Sequence, residues 1–235
     1  TNDIAGLASA CQSPVERVSK NFSFDAGFSL FLSKGMQENS CEVKSVGRAR
    51  RIWVPHLFYH IVCRGNRRDP LFKEVNDFRA FLYILEQLHE NIPFEIASYC
   101  LMTNHFHLQL RSQQQSISKV MALVNKRYAN YYNTRYGLTG HVFEKRYFSK
   151  MIDDDAGMLE VSRYIHLNPV EARMVHLPEH YRWSSFHFYH QSTSLPSFMN
   201  MDVLLRYFSG TMNEKKKAYV QFVKEDVVPN CVKEE

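Results

Sequence analysis

The chain has 235 residues, is 45% hydrophobic and 14% aromatic, and carries a net charge of +5. That length suits one large domain, or one domain with appendages, with a sizeable core. No apolar run approaches the roughly 18 residues a membrane helix needs, and no apolar secretory segment follows a basic N-terminus, so a soluble, cytoplasmic chain without a membrane partner is expected.

Residues 1–45 are rich in Ser, Asn and Gln and lack sustained periodicity. They read as an N-terminal extension of unknown role, an appendage or a translated upstream stretch. From Gly47 to Arg68 the chain holds six arginines (Arg48, Arg50, Arg51, Arg64, Arg67, Arg68) and no acid. Within that stretch "HLFYHIVCR" (56–64) is a strand by its β-branched and aromatic content. "RGNRRDP" is then a loop carrying Gly65 and Pro70. A helix follows, with Asp77 as its expected N-cap and Phe78, Phe81, Leu82, Leu85 and Leu88 at helical spacing. "FEIASYCLM" and "HFHLQLR" are two strands joined at Thr103-Asn104.

"SISKVMALVNKRYANYYNTRYG" is a second helix, with Ile117, Val120, Val124 and Tyr128 on one stripe and Gly137 at its end. "HVFEKRYFSKMI" alternates like a strand. "DDDAGMLEVSRYIHLNP" is a third helix whose acidic start suits the positive end of the helix dipole and whose expected stop is Pro169. The order β-α-β-β-α-β-α predicts an α+β fold, a largely antiparallel sheet with helices packed on it. After "WSSFHFY", residues 191–235 read as a linker and a small C-terminal helical appendage. The five cysteines (Cys11, Cys41, Cys63, Cys100, Cys231) are scattered without a CxxC pair, which argues for reduced thiols and against a cysteine zinc site.

Between Lys126 and Lys150 six bases face one acid, Glu144, and alternate with tyrosines and phenylalanines. Guanidinium groups grip phosphate bidentately and aromatic faces stack on unpaired bases, so nucleic acid is the leading partner class. A solvated basic surface is the plainer alternative.

Two further patterns carry chemistry. His105 and His107 share one strand face roughly 6.5–7 Å apart and can converge on one ion. Taken alone, they could equally be hydrogen-bonded histidines on a half-exposed strand. Tyr164 and Asn168 share one helix face a turn apart and could supply a nucleophile and an oxygen ligand. Asparagine beside two imidazoles is a reasonable site for Mg²⁺ or Mn²⁺. Tyr164 could also be a core tyrosine, and Asn168 a helix C-cap. Tyr128 competes as nucleophile, but its i+4 partner is Tyr132. Tyr131 and Tyr132 fit core or base-stacking roles. His60 and His166 read as plain strand and helix histidines, with an outer role at a metal site as the alternative.

These motifs resemble a known family. "NHFHL" is similar to the histidine-hydrophobe-histidine motif of the HUH single-tyrosine transposases. "RYIHLNPVEARMV" looks like the tyrosine helix of their REP-associated branch, "RARRIWVPHLFYHIVCRGNRRDPLF" like its first strand and loop, and "RWSSF" like its later block. The resemblance spans about 47–189 and marks 46–190 as an HUH transposase-like catalytic domain, a ferredoxin-like variant. It implies a metal-dependent single-strand DNA endonuclease and strand transferase. Tyr164 would attack the scissile phosphorus to give a 5′-phosphotyrosine, and His105, His107 and Asn168 would hold Mg or Mn. Arg48, Arg50, Arg51, Arg64, Asn66, Arg67, Arg68, Lys126, Arg127, Lys145 and Arg146 would contact single-stranded or hairpin DNA in a bacterial, nucleoid-associated protein. A homodimer stays open, because family members differ on whether a partner subunit supplies the tyrosine. Two alternatives remain: a catalytically inactive DNA-binding module on the same fold, and a metal-dependent hydrolase unrelated to DNA. The absence of an HExxH motif speaks against the second.

Overall fold

The computed structural model describes residues 52–225; the arginines at 48, 50 and 51 and the extension at 1–45 lie outside them. Residues 53–225 form one compact unit. Four strands, β1 (Phe58–Arg64), β2 (Glu95–Leu101), β3 (His105–Arg111) and β4 (Phe148–Ile152), make one sheet in the order β2-β3-β1-β4. Every pairing is antiparallel. The helices are α1 (Val75–His89), α2 (Ile117–Tyr136), α3 (Asp155–Glu171) and three shorter ones, α4 (Phe186–His190), α5 (Asp202–Leu205) and α6 (Met212–Lys224). The α+β order expected from the sequence is the order observed. No described helix is long and apolar enough to cross a membrane.

Alternation along the strands sorts the sheet into two faces. Ile61, Phe106 and Leu108 point to one face and are fully buried, where Phe81 of α1 packs 4.6 Å from Phe106. Tyr128 of α2 lies in the same layer, 5.3 Å from Phe81, with its hydroxyl donating to the Leu71 carbonyl. This removes it as a competing nucleophile. Tyr131 donates to Asp77 and Tyr132 to the Pro70 carbonyl, so both tie α2 to α1 and its approach. The opposite face carries α3, where the Gln109 amide donates to the Met158 carbonyl at 3.0 Å and accepts from Ser98 at 2.8 Å.

Some element ends differ from expectation for identifiable reasons. Helix α1 starts three residues early: Glu74 is the N-cap, and Asp77 is the third helical residue of a reciprocal capping box. Of "HVFEKRYFSKMI" only Phe148–Ile152 forms a strand, paired with β1; before it the chain follows the 64–66 loop through the isolated Gly65–Phe143 bridge. Helix α3 runs through Pro169 and ends at Glu171. Its stop is a Schellman turn: Met174 N–H donates to the Pro169 carbonyl and Arg173 N–H to the Val170 carbonyl, with Arg173 at φ 56°. Proline costs a helix one hydrogen bond and some crowding, and here the helix absorbs both within its last turn.

The outer edge of β2 is covered. Ile96 bridges Met199 and Cys100 bridges Ser184, while Tyr99 N–H donates to Ser185 Oγ. Helix α6 then packs on α3 and α4 through Tyr219, whose hydroxyl bonds His166 Nδ1 at 2.9 Å.

Candidate active site

The register that pairs β1 with β3 places Val62 opposite His107, Arg64 opposite His105 and His60 opposite Gln109. His60, Arg64, His105, His107 and Gln109 therefore share the face that α3 covers. On α3, Tyr164 sets its ring edge-on to two of these imidazoles, 5.8 Å from His60 and 5.5 Å from His107 between centroids. One turn on, the Asn168 side chain hydrogen-bonds both His105 and Tyr164. His105, His107, Tyr164 and Asn168, separated by some sixty residues of chain, thus meet at one sheet-helix interface.

Hydrogen bonds occupy the Nδ1 nitrogen of each imidazole. Asn104 Nδ2 donates to the Arg68 carbonyl, which orients the amide so that its Oδ1 accepts from His105 Nδ1 at 2.8 Å. His105 Nε2 then carries the lone pair. His107 Nδ1 lies 3.0 Å from Nε2 of His60. The remaining nitrogen, His107 Nε2, is buried and has no hydrogen-bond partner. A buried imidazole nitrogen without a partner costs roughly 1–3 kcal/mol, a cost that a ligand at this position would relieve.

The electrostatics keep these rings neutral. Burial, then the Arg64 charge, pushes His105 down to about 4, against a smaller opposing effect of the Asn168 bond. Burial and the Lys150 charge bring His60 to about 4, and burial with its imidazole and arginine neighbours takes His107 well below the usual range. Burial raises the Tyr164 phenol above its ordinary value, while the Asn168 bond and the Arg64 charge act the other way. The phenol is therefore protonated in the resting site.

Two neutral imidazoles and a carboxamide fit a divalent cation by donor type. They form a sparse set: no group of three or more His, Cys, Asp or Glu side chains able to hold a metal occurs among the described residues. A cation there would draw its remaining ligands from water or a phosphate.

Around the site the basic residues divide. Arg64 is half-buried at the end of β1, and Glu144 N–H donates to its carbonyl, bringing exposed Lys145 and Arg146 alongside. Asn66, Arg67 and Arg68 form a single 3₁₀ turn, with Arg67 and Arg68 exposed at φ 53° and 63°. The turn is pinned by Gly65 N–H to the Asn104 carbonyl and Asn66 N–H to the Val142 carbonyl. A Cβ on Gly65 would lie 2.1 Å from the Asp69 carbonyl oxygen, so only glycine fits. Lys126 and Arg127 are exposed on α2, across the sheet from the imidazoles.

Sequence reasoning undervalued His60 and did not single out Asn104. Asn104 stands next to His105 in "NHFHL", so adjacency was a usable signal; His60 becomes visible only through the β1–β3 register. His166 lies away from the site, bonded to Ser185 and Tyr219.

A family model described as transposase, IS200-like, matches residues 53–168. The stretch it matches holds every one of the four converging residues, and over that stretch the chain is similar to that family of transposases. Within it the likeness is to the REP-associated branch. A REP-associated tyrosine transposase of Haemophilus influenzae is 25% identical over 142 residues, covering 55% of this chain and 78% of the relative. A solved structure of a REP-associated tyrosine transposase bound to a REP hairpin shares the fold, with a TM-score of 0.54 and 17% identity over 71% of this chain and 93% of that one.

Proposed function

We propose that the chain is a metal-dependent single-strand DNA endonuclease and strand transferase that recognises hairpin-forming DNA and works through a 5′-phosphotyrosine on Tyr164. The observation that carries this reading is the meeting of Tyr164 and Asn168 with His105 and His107, whose Nδ1 atoms hydrogen-bond Asn104 and His60. His105, His107 and Asn168 would hold the cation, Mg or Mn. When bound, the cation polarises the scissile phosphate and offsets the charge that develops on it.

The protein supplies the rest. Only about one tyrosine in a thousand is ionised at neutral pH at the ordinary pKa, and burial makes Tyr164 a still weaker acid. Its side chain is held by Asn168 and by ring contacts to His60 and His107, which lowers the entropic cost of attack. Attack forms the bond from Tyr164 Oη to phosphorus and breaks the bond to the 3′-oxygen, which leaves with a proton as a free hydroxyl. The phosphotyrosine keeps the phosphodiester energy, so a 3′-hydroxyl can reverse the step onto another strand. Arg64, Arg67, Arg68, Lys145 and Arg146 would hold the DNA backbone.

The test is incubation with a labelled, hairpin-bearing single strand and Mg²⁺ or Mn²⁺. A covalent protein-DNA adduct that survives denaturation is expected, and it should vanish in Tyr164→Phe. An adduct persisting in that variant removes Tyr164 as nucleophile; tight binding without cleavage favours the inactive DNA-binding module.

A further inference from the structure

A run of stacked rings ends on the small buried cluster against which Tyr164 also packs. Phe72 stacks on Phe78 at 4.6 Å, and Phe78 on Trp183 at 4.4 Å with the planes only 8° apart. The other side of Trp183 is covered by the Arg182 guanidinium, 4.5 Å from the ring centroid. The inner end of the run is fixed beneath the arginine turn, because Phe72 N–H donates to the Thr103 carbonyl, one residue from Asn104. The outer end is fixed by Leu101 N–H donating to the Trp183 carbonyl. Trp183 and Tyr164 pack against the same small buried cluster of Cys100, Met102, Ile165 and Tyr181.

Nothing in the proposed chemistry uses Trp183. Phe78 is buried, whereas Trp183 is half-buried and Arg182 exposed. Among the described residues no carboxylate forms a salt bridge with Arg182. An exposed guanidinium over a half-buried indole is a contact of only about 0.5–2 kcal/mol, which a flat aromatic partner can replace. An unpaired nucleobase is such a partner, and base stacking on aromatic side chains tolerates any base.

We propose that Trp183, backed by Phe78 and covered by Arg182 in the free protein, is a stacking site for an unpaired nucleobase of the strand that Tyr164 attacks. The base takes the place of Arg182 on the indole, and the released guanidinium moves to a backbone phosphate. This rests on the single-strand DNA reading above.

Trp53 and Trp183 are the two tryptophans, so Trp53→Phe leaves Trp183 as the sole indole reporter. The probe is a hairpin oligonucleotide with a single-stranded flank carrying 2-aminopurine at one position at a time, with binding followed separately by anisotropy. Binding is expected to quench Trp183 emission, shield it from acrylamide and quench 2-aminopurine at one flank position. Trp183→Leu, its fold checked by thermal melting, should lose that local quenching. It should bind the flanked hairpin roughly tenfold more weakly, and a blunt hairpin as before. Binding with unchanged Trp183 emission overturns the stacking site and leaves the single-strand reading standing. Equal losses on flanked and blunt hairpins make Trp183 a structural support only and also overturn it. No binding of any single-stranded DNA removes both.

Discussion

His60 shows how much of the site hangs on one buried contact. It is 2% exposed, and its Nε2 meets Nδ1 of His107 at 3.0 Å. A partner on the outer nitrogen fixes the tautomer and orientation of a ligating imidazole, and losing such a partner typically costs 10–100-fold in metal affinity. His60→Phe fills the space and removes the bond. Its Mn²⁺ affinity, measured by titration calorimetry on the DNA-free protein, should fall roughly 10–100-fold; an unchanged affinity would show that His107 needs no outer partner. The same residue marks a limit of the sequence. His105 and His107 are legible because i and i+2 share a strand face wherever the strand lies. His60 gains its meaning only from pairing β1 against β3 in one register, and a register is a property of two distant segments.

At the scale of elements, the loop after β1 and the turn after α3 are both held in the left-handed region. Arg67, Arg68 and Arg173 adopt φ of 53°, 63° and 56°, a conformation that costs an ordinary residue about 1–2 kcal/mol. At the end of α3 the position favours glycine, so Arg173→Gly should stabilise the fold by about 0.5–1 kcal/mol in denaturant titration, the gain being trimmed by the freer unfolded chain. The loop after β1 behaves differently, because glycine is already present where crowding demands it. Gly65→Ala drives a Cβ against the Asp69 carbonyl and should displace the turn that presents Arg67 and Arg68. Neutralising Arg64, Arg67 and Arg68 together should weaken hairpin DNA binding and flatten its salt dependence while leaving Mn²⁺ binding intact. A salt-titrated gel shift with unchanged affinity would remove these arginines from the DNA contact. The element types were legible because periodicity reports burial. Their ends were not: Pro169 looks like a stop, yet the stop is the Arg173 turn, whose hydrogen bonds leave no signature in residue type.

At the scale of the whole molecule, His166 joins the parts that sequence reading had separated as a catalytic domain and a C-terminal appendage. It is fully buried on α3, with Nε2 2.9 Å from Ser185 Oγ and Nδ1 2.9 Å from the Tyr219 hydroxyl of α6. Ser185 in turn holds Tyr99 of β2. The linkage is invisible along the chain because neither Ser185 nor Tyr219 falls at a helical or strand interval from His166. Burial, then the His187 charge, lowers His166 from 6.5 to about 3. The ring is neutral in the folded chain at pH 5 and largely protonated in the unfolded one. The unfolded state therefore binds more protons, and stability falls as pH drops below about 6.5, levelling off near the folded value of about 3. Between pH 7 and pH 5 this one group should cost about 2 kcal/mol, one and a half units at roughly 1.36 kcal/mol each. His60 and His105, both lowered to about 4, add losses of the same sign over the same interval. Urea titrations at pH 7 and 5 should show the decline. His166→Gln, which keeps hydrogen-bonding groups but cannot ionise in this range, should start less stable at pH 7 and lose about 2 kcal/mol less on acidification. An equal acid loss in that variant would show that the proton is taken up elsewhere, and that the bond between α3 and α6 does not set the acid sensitivity of the fold.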